Sequence, residues 1–314
     1  MIRPADPDRR RRGVALVVVL WGLVLIAIIA GSFAAGTRTD ATMAFNVAEN
    51  AKARALAEAG VQRAVQEFLR RTDTAWLANG TVYPLSSPGG EIAVSLQDEL
   101  GRIDLNTAPD ELMRSLLVSL GMEDGEASAL TDAIADYRDE DDLVRLNGAE
   151  ARDYRAAGLA HEPKNAPFEA VEELRLVLGV TAALYRRVAG LVTVHSRRPW
   201  VNLATAPMEV LLALPGLDEA GRERVLESRT ETEEAADAPA APPAISPTRF
   251  GRVVAPGRIV TIRAEARTTA GGLFIREAVV RAARRPGAPY EYLGWMQGRR
   301  RPPAQQDGDP ESRP

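Results

Sequence analysis

Residues 13–37, GVALVVVLWGLVLIAIIAGSFAAGT, contain no charged side chain. As an α-helix at 1.5 Å per residue this run reaches ~38 Å, more than the ~30 Å thickness of a bilayer's hydrocarbon core. Arg3 and the run Arg9–Arg12 precede it, opposed only by Asp6 and Asp8. The positive-inside rule therefore places the N-terminus in the cytoplasm and the bulk of the chain on the other side of the membrane. A cleaved secretory signal would have a shorter apolar region ending at a small-residue site. Here the helical pattern continues instead. Residues 44–70, AFNVAENAKARALAEAGVQRAVQEFLR, are dominated by Ala, Glu, Arg and Gln, which favour or tolerate helix. Phe45, Leu56, Val61, Val65, Phe68 and Leu69 supply apolar positions, the last four close to a stripe of helical period. One helix of ~55 residues, ~80 Å long, is expected, apolar all round in its first half and amphipathic in its second.

Composition narrows the chemistry. The 314 residues exceed twice the ~150-residue domain prior, so one large or two modest domains are expected. Cysteine is absent and only His161 and His195 occur. This removes disulfides, thiol nucleophiles and Cys-based metal centres, and leaves almost nothing for a His-built one. The net charge of −4 gives no global basic field for nucleic acid. An enzyme is not expected.

Residues 91–100 alternate through Ile92, Val94 and Leu96 and read as a strand. After Gly101 the period becomes helical, in segments 111–121, 126–138, 168–179, 181–192 and 208–229. Residues 230–247, TETEEAADAPAAPPAISP, form a low-complexity linker. Alternating runs at 257–267 and 273–284 flank Gly271-Gly272, a hairpin signal, and 290–293 suit an edge strand. The expected fold is α+β: a long N-terminal helix packed on an antiparallel sheet, with a large all-α domain inserted into it. The expected divisions are 1–13 ahead of the apolar run, 14–36 membrane half of the helix, 37–100 first part of the sheet domain, 101–245 inserted helical domain, 246–297 returning strands and 298–314 disordered tail.

The insertion echoes itself. LNTAPDEL at 105–112 aligns with LATAPMEV at 203–210. Thr107 and Thr205 suit helix N-caps, and Pro109 and Pro207 the first turn. The second copy continues as LLALPGL (211–217), like a helix-hairpin-helix, whose hairpin amides can hold a DNA phosphate. Asp218 and Glu219 stand where such a phosphate would be repelled. A membrane-tethered DNA-binding protein is the alternative reading, although no nucleic acid is expected. An acidic cluster comprises Asp136, Asp139, Glu140, Asp141, Asp142, Glu150 and Asp153. Its spacing does not match an EF-hand loop, and a solvated acidic face is the simpler reading.

The basic leader, the Gly directly before the apolar run and the half-membrane, half-soluble helix resemble type IV prepilins and type II secretion pseudopilins. The resemblance implies cleavage by a prepilin peptidase between Gly13 and Val14, methylation of the new N-terminus, and a pilin-like fold. The fifth mature residue, usually Glu in that family, is Val18. In the family that Glu meets the N-terminal ammonium of a neighbouring subunit, so an apolar residue there implies a subunit at the filament tip. The phrases RIDLNTAP (102–109), DYRDEDD (136–142), NGAE (147–150), YRAAG (154–158), PFEAVEELRLVLG (167–179) and VNLATAPMEVLLALPGL (201–217) are similar to those of the K class of minor pseudopilins. The resemblance implies a non-enzymatic role in protein export across the outer membrane. It implies partners among the I- and J-class minor pseudopilins and the major pseudopilin, with the head facing the secretin channel or the secreted substrate. Phe45, Leu56, Val61, Val65 and Phe68 are then the expected assembly surface. The resemblance also makes calcium a candidate ligand, with Asp139, Asp141 and Asp142 as its candidate carboxylates.

Overall fold

The computed structural model describes residues 8–70, 76–234, 248–285 and 287–299. The leader up to residue 7, most of the linker and the tail from residue 300 lie outside them. One continuous helix, α1 (Asp8–Leu69), joins the apolar run to the amphipathic segment. Two strands follow, β1 (Asn79–Ser87) and β2 (Gly90–Asp98). The chain then leaves the sheet through β3 (Ile103–Asp104), α2 (Asp110–Ser119), α3 (Asp124–Arg138), α4 (Ala151–Ala156), α5 (Ala182–Val188), β4 (Val192–Thr193), β5 (Val201–Asn202), α6 (Met208–Ala213), α7 (Glu219–Glu234) and β6 (Gly251–Arg252). It returns as β7 (Ile259–Thr268), β8 (Leu273–Arg285) and β9 (Ala288–Gln297).

The main sheet has the order β1-β2-β7-β8-β9 and is antiparallel throughout. Asp98 pairs with Val260, so the excursion departs from and returns to adjacent points of the sheet. That pairing makes the block an insertion, and the fold is α+β. The hairpin expected at Gly271-Gly272 joins β7 to β8, with Gly271 at φ +92°, a conformation that favours glycine. Pro84 sits on the edge strand β1, where a missing N–H removes no ladder bond.

Helix α1 crosses one face of the sheet on small residues. Ala53, Ala57, Gly60 and Ala64 are buried there. A Cβ on Gly60 would lie 2.8 Å from Ile92 Cγ2, so glycine, a poor helix former, is explained by close approach. Val61 and Val65 join Ile92, Val94, Leu96, Val260, Ile262 and Val280 in this core.

A second and larger core lies in the inserted head, around Leu105, Leu112, Leu116, Tyr154, Leu203 and Leu211. The head is mostly helical, but two short parallel pairs, β3 with β4 and β5 with β6, brace it. Because β6 pairs inside the head, Gly251–Arg252 belongs to it, and the head extends past the boundary expected at 245. Residues 168–179 yield a short 3-10 turn, Val171–Leu176, rather than an α-helix. The Glu173 carboxylate accepts from the amides of Glu169 and Ala170, tying off the start. Val177 is already extended, and Leu174 and Val177 are spent on the core. Too few residues remain to propagate a helix. The expected threonine caps are also not used. Pro109 and Pro207 occupy the N-cap positions with no side-chain cap. Thr107 bonds Asp104 instead, and Thr205 bonds Asp98.

Candidate assembly helix, distal head and cation site

Among the described residues, the apolar half of α1 meets no other part of the chain. Side chains from Leu16 to Phe33, Val18 among them, are exposed, and the most apolar window has a mean hydropathy of 2.7. This stretch is long and apolar enough to cross a bilayer. Gly13 and Val14 lie in the first turns of the same helix.

The five residues expected to form the assembly stripe separate in space. Phe45 is exposed, with Met43 and Val47. Val61 and Val65 are buried under the chain's own sheet, and Leu56 and Phe68 pack against that core. Helical period marks a face that must be covered, and here intramolecular strands cover it before any partner can. Val61 and Val65 are core residues, not an open assembly surface.

The direction of the sheet fixes where the head stands. Gly89 lies against Leu56, and Gly60 against Ile92 and Val94, so β2 runs alongside α1 away from the apolar half. Asp98 ends β2 at the far pole, and the head departs there. A buried polar joint fastens it. Asp98 accepts from the Gly257 amide at 2.9 Å and from Thr205 Oγ1 at 3.3 Å. Glu99 accepts from Arg102 at 2.9 Å, from Thr261 Oγ1 at 2.6 Å and from Thr193 Oγ1. Gln97 donates to the Thr205 carbonyl at 2.7 Å. Sheet and head are thereby tied by a buried polar network, in which Arg102 Nε is left without a partner.

The sequence echo is a structural duplication. β3 with α2–α3 and β5 with α6–α7 repeat one unit, and Gly121 (φ +82°) and Gly216 (φ +79°) turn each hairpin. Arg138 reaches back from the end of α3 to the carbonyls of Leu105 and Ala108. Arg229 does the same from α7 to Leu203 and Ala206. The copies pack through α2 and α6, where Ser115 Oγ donates to the Ala213 carbonyl at 2.6 Å. Burial lowers the Arg229 pKa to about 10, which leaves it charged at neutral pH. Arg229→Ala strands two carbonyls and opens a void, so thermal unfolding should show a loss of ~2–4 kcal/mol. In the second hairpin Asp218 Oδ1 already accepts from the Gly221 amide at 2.8 Å. Carboxylates therefore stand where a phosphate would need donors.

The acidic cluster and the neighbouring Asn165 hold buried oxygens that lack hydrogen-bond partners: Asp136 Oδ1, which has only an ion pair with Arg145 Nε at 3.6 Å, Asp139 Oδ1, both carboxylate oxygens of Glu150, and Asn165 Oδ1. Burial raises the pKa of Asp136, Asp139 and Glu150. Glu150 is pushed up to about 7, with the charges of Asp136, Asp139 and Asp142 adding to the effect of burial. Gly148 closes over this group, since a Cβ there would overlap the Asp136 carboxylate. Among the described residues no three such side chains are already gathered around one point. The donor set is all oxygen and rich in carboxylate, which suits a hard cation such as calcium. Of the three expected calcium carboxylates, only Asp139 is an orphan. Asp141 Oδ1 accepts from the Leu143 amide, and Asp142 Oδ1 accepts from Asn165 Nδ2. Asp136 and Glu150 were legible only as members of an acidic stretch, and Asn165 carried no signal of its own. Which of them turn inward is decided by the fold of the loop.

A family model described as type II secretion system (T2SS), protein K, matches residues 94–197. Type II secretion system protein K of Aeromonas hydrophila is 32% identical over 257 residues, 71% of this chain and 77% of that protein. The Klebsiella pneumoniae protein K is 30% identical over 203 residues, and the match spans 62% of its length. The fold is similar to a chain of the crystal structure of the GspK-GspI-GspJ complex from enterotoxigenic Escherichia coli, with a TM-score of 0.53 and 18% identity, covering 84% of this chain and 99% of that one. On the strength of the Aeromonas match, this chain belongs to the type II secretion system protein K family.

Proposed function

We propose that this chain is a minor pseudopilin that caps the tip of the type II secretion pseudopilus and takes part in protein export as a structural, non-enzymatic component. The observation that carries this reading is the position of the head, which leaves the sheet at the pole opposite the apolar half of α1. A subunit so shaped can add its helix to a filament from below but leaves no flush surface for another subunit above. The apolar residues 14–36 anchor it in the inner membrane, with a cytoplasmic N-terminus and a periplasmic head. Prepilin peptidase cuts between Gly13 and Val14. The I- and J-class minor pseudopilins and the major pseudopilin pack along α1 through exposed residues such as Phe45. The solved assembly of GspK with GspI and GspJ supports that choice of partners. Intact-mass measurement of the membrane form tests the processing step: loss of residues 1–13 is expected, and retention of Arg9–Arg12 in cells with active peptidase contradicts it.

Val18 tests the tip position. A carboxylate inside the bilayer costs roughly 2.5–3.5 kcal/mol at mid-membrane unless a partner neutralises it. At the tip no subunit lies above to offer that partner. Val18→Glu should therefore bring no gain in secretion or pseudopilus length at matched expression. A clear gain in either would place the chain in the filament body.

The orphaned oxygens around Asp136, Asp139, Glu150 and Asn165 support a second element of this reading, a structural calcium ion. These residues would hold it, and its charge would offset the burial and mutual repulsion that raise the pKa values of the three carboxylates.

A further inference from the structure

The loop between α3 and α4 exposes three large apolar side chains: Leu143 is 76% exposed, Val144 54% and Leu146 94%. Loops that must turn such side chains into water are usually mobile. This one is held in shape by its backbone. The Leu143 amide is held by Asp141 Oδ1 at 2.9 Å, the Arg145 amide by Asp136 Oδ2 at 3.2 Å and the Asn147 amide by Asp132 Oδ2 at 3.2 Å. The Arg145 guanidinium bonds Asp110 at 2.6 Å, and Asn165 Nδ2 bonds Asp142 at 2.8 Å. Every one of these anchors lies inside the head. A rigidly presented apolar cluster with a polar border has the character of an interface, not of a folding core. Its border is acidic: Glu140, Asp141 and Asp142 are exposed immediately before it, and the one arginine of the loop is already engaged by Asp110.

We propose that Leu143, Val144 and Leu146 form a docking knob for a periplasmic protein whose surface offers an apolar pocket rimmed by Lys and Arg. The choice of occupant rests on charge and on placement. The acidic collar complements a basic rim and is repelled by anionic lipid headgroups. The head stands at the pole away from the membrane half of α1, so a partner beyond the filament can reach it while the pseudopilins that flank α1 need not. The inference rests on the minor-pseudopilin reading and adds a contact of the head with something outside the filament.

The experiment uses the full chain in secreting cells. A photo-crosslinking residue replaces Asn147, beside the knob, in three backgrounds: wild type, Leu143→Ser with Leu146→Ser, and Glu140→Lys. These variants alter exposed side chains and keep the carboxylates that hold the loop, so unfolding temperature and co-purification with the I- and J-class pseudopilins should stay unchanged. The expected result is an adduct whose crosslinked partner peptide lies in a protein other than this chain and the pseudopilins, and carries apolar residues beside Lys or Arg. Yield and secretion should both fall about tenfold or more in the serine pair, as expected for two leucines lost from an interface. Yield should also fall in the Glu140→Lys variant, whose border charge is reversed. Unchanged secretion and crosslinking in a folded, co-purifying serine variant overturns the proposal while leaving the pseudopilin reading intact. Adducts with lipid, with a second copy of this chain or with the flanking pseudopilins overturn it equally. Loss of co-purification in the wild-type background would instead count against the pseudopilin reading.

Discussion

At the proposed site, calcium at a thousandfold excess over its dissociation constant is expected to stabilise the protein by ~4 kcal/mol, because the ion binds the folded chain in preference to the unfolded one. The same groups set the pH dependence. Glu150 titrates at about 7 in the folded protein against 4.5 in its ordinary environment, so folding takes up a proton on it. Its contribution is fully present below about pH 4.5 and is lost as pH rises through about 7, by up to ~3 kcal/mol. Asp136 and Asp139, also raised, act in the same direction. Metal-free protein should therefore melt at lower temperature at pH 7.5 than at pH 5. Calcium reverses the trend, since it needs the ionised carboxylates, and its stabilising effect should grow with pH. Glu150→Gln should flatten the metal-free profile and abolish most of the calcium response. Thermal melts with calcium and with chelator, from pH 5 to 8, measure both effects. Melting temperatures that ignore calcium and pH alike would leave the orphaned oxygens without a role.

Val65→Asp should cost the sheet domain ~4 kcal/mol or more, enough to unfold a chain of ordinary marginal stability. Val65 is 2% exposed in the core between α1 and the sheet. An aspartate there must be either buried as an unpaired charge or protonated, and it also surrenders the valine's packing. Phe45→Asp, on an exposed turn of the same helix, should leave the melting temperature unchanged and weaken association with the other minor pseudopilins. Melting curves and co-purification of the two variants separate folding from assembly. A folded Val65→Asp protein that fails only to associate would show that the stripe faces a partner.

The contrast between these two residues shows what the sequence can carry. Helical period identifies Val61 and Val65 as facing something apolar, but it does not say whether strands of the same chain or a neighbour's helix will lie there. The apolar half of α1, the hairpin at Gly271-Gly272 and the insertion between strands are each set by local pattern and were legible. Parallel pairing of β3 with β4 and β5 with β6 was not, because two-residue strands carry no period. The duplication was visible as TAP repeats at 107–109 and 205–207, yet the chemistry differs from the capping those residues suggest. The arginines that fix each copy, Arg138 and Arg229, sit far along the chain from the carbonyls they hold. In the acidic stretch, sequence gives the carboxylates but not their directions, so Asp141 and Asp142 turned to brace the loop while Asp136 and Glu150 turned inward.

The most direct test of the central claim is co-purification of the processed, membrane-extracted chain with its own organism's I- and J-class minor pseudopilins, expressed together. A stable complex containing all three, lost on Phe45→Asp and kept on Arg229→Lys, is the predicted result. A processed and folded chain that associates with neither pseudopilin would contradict the assignment.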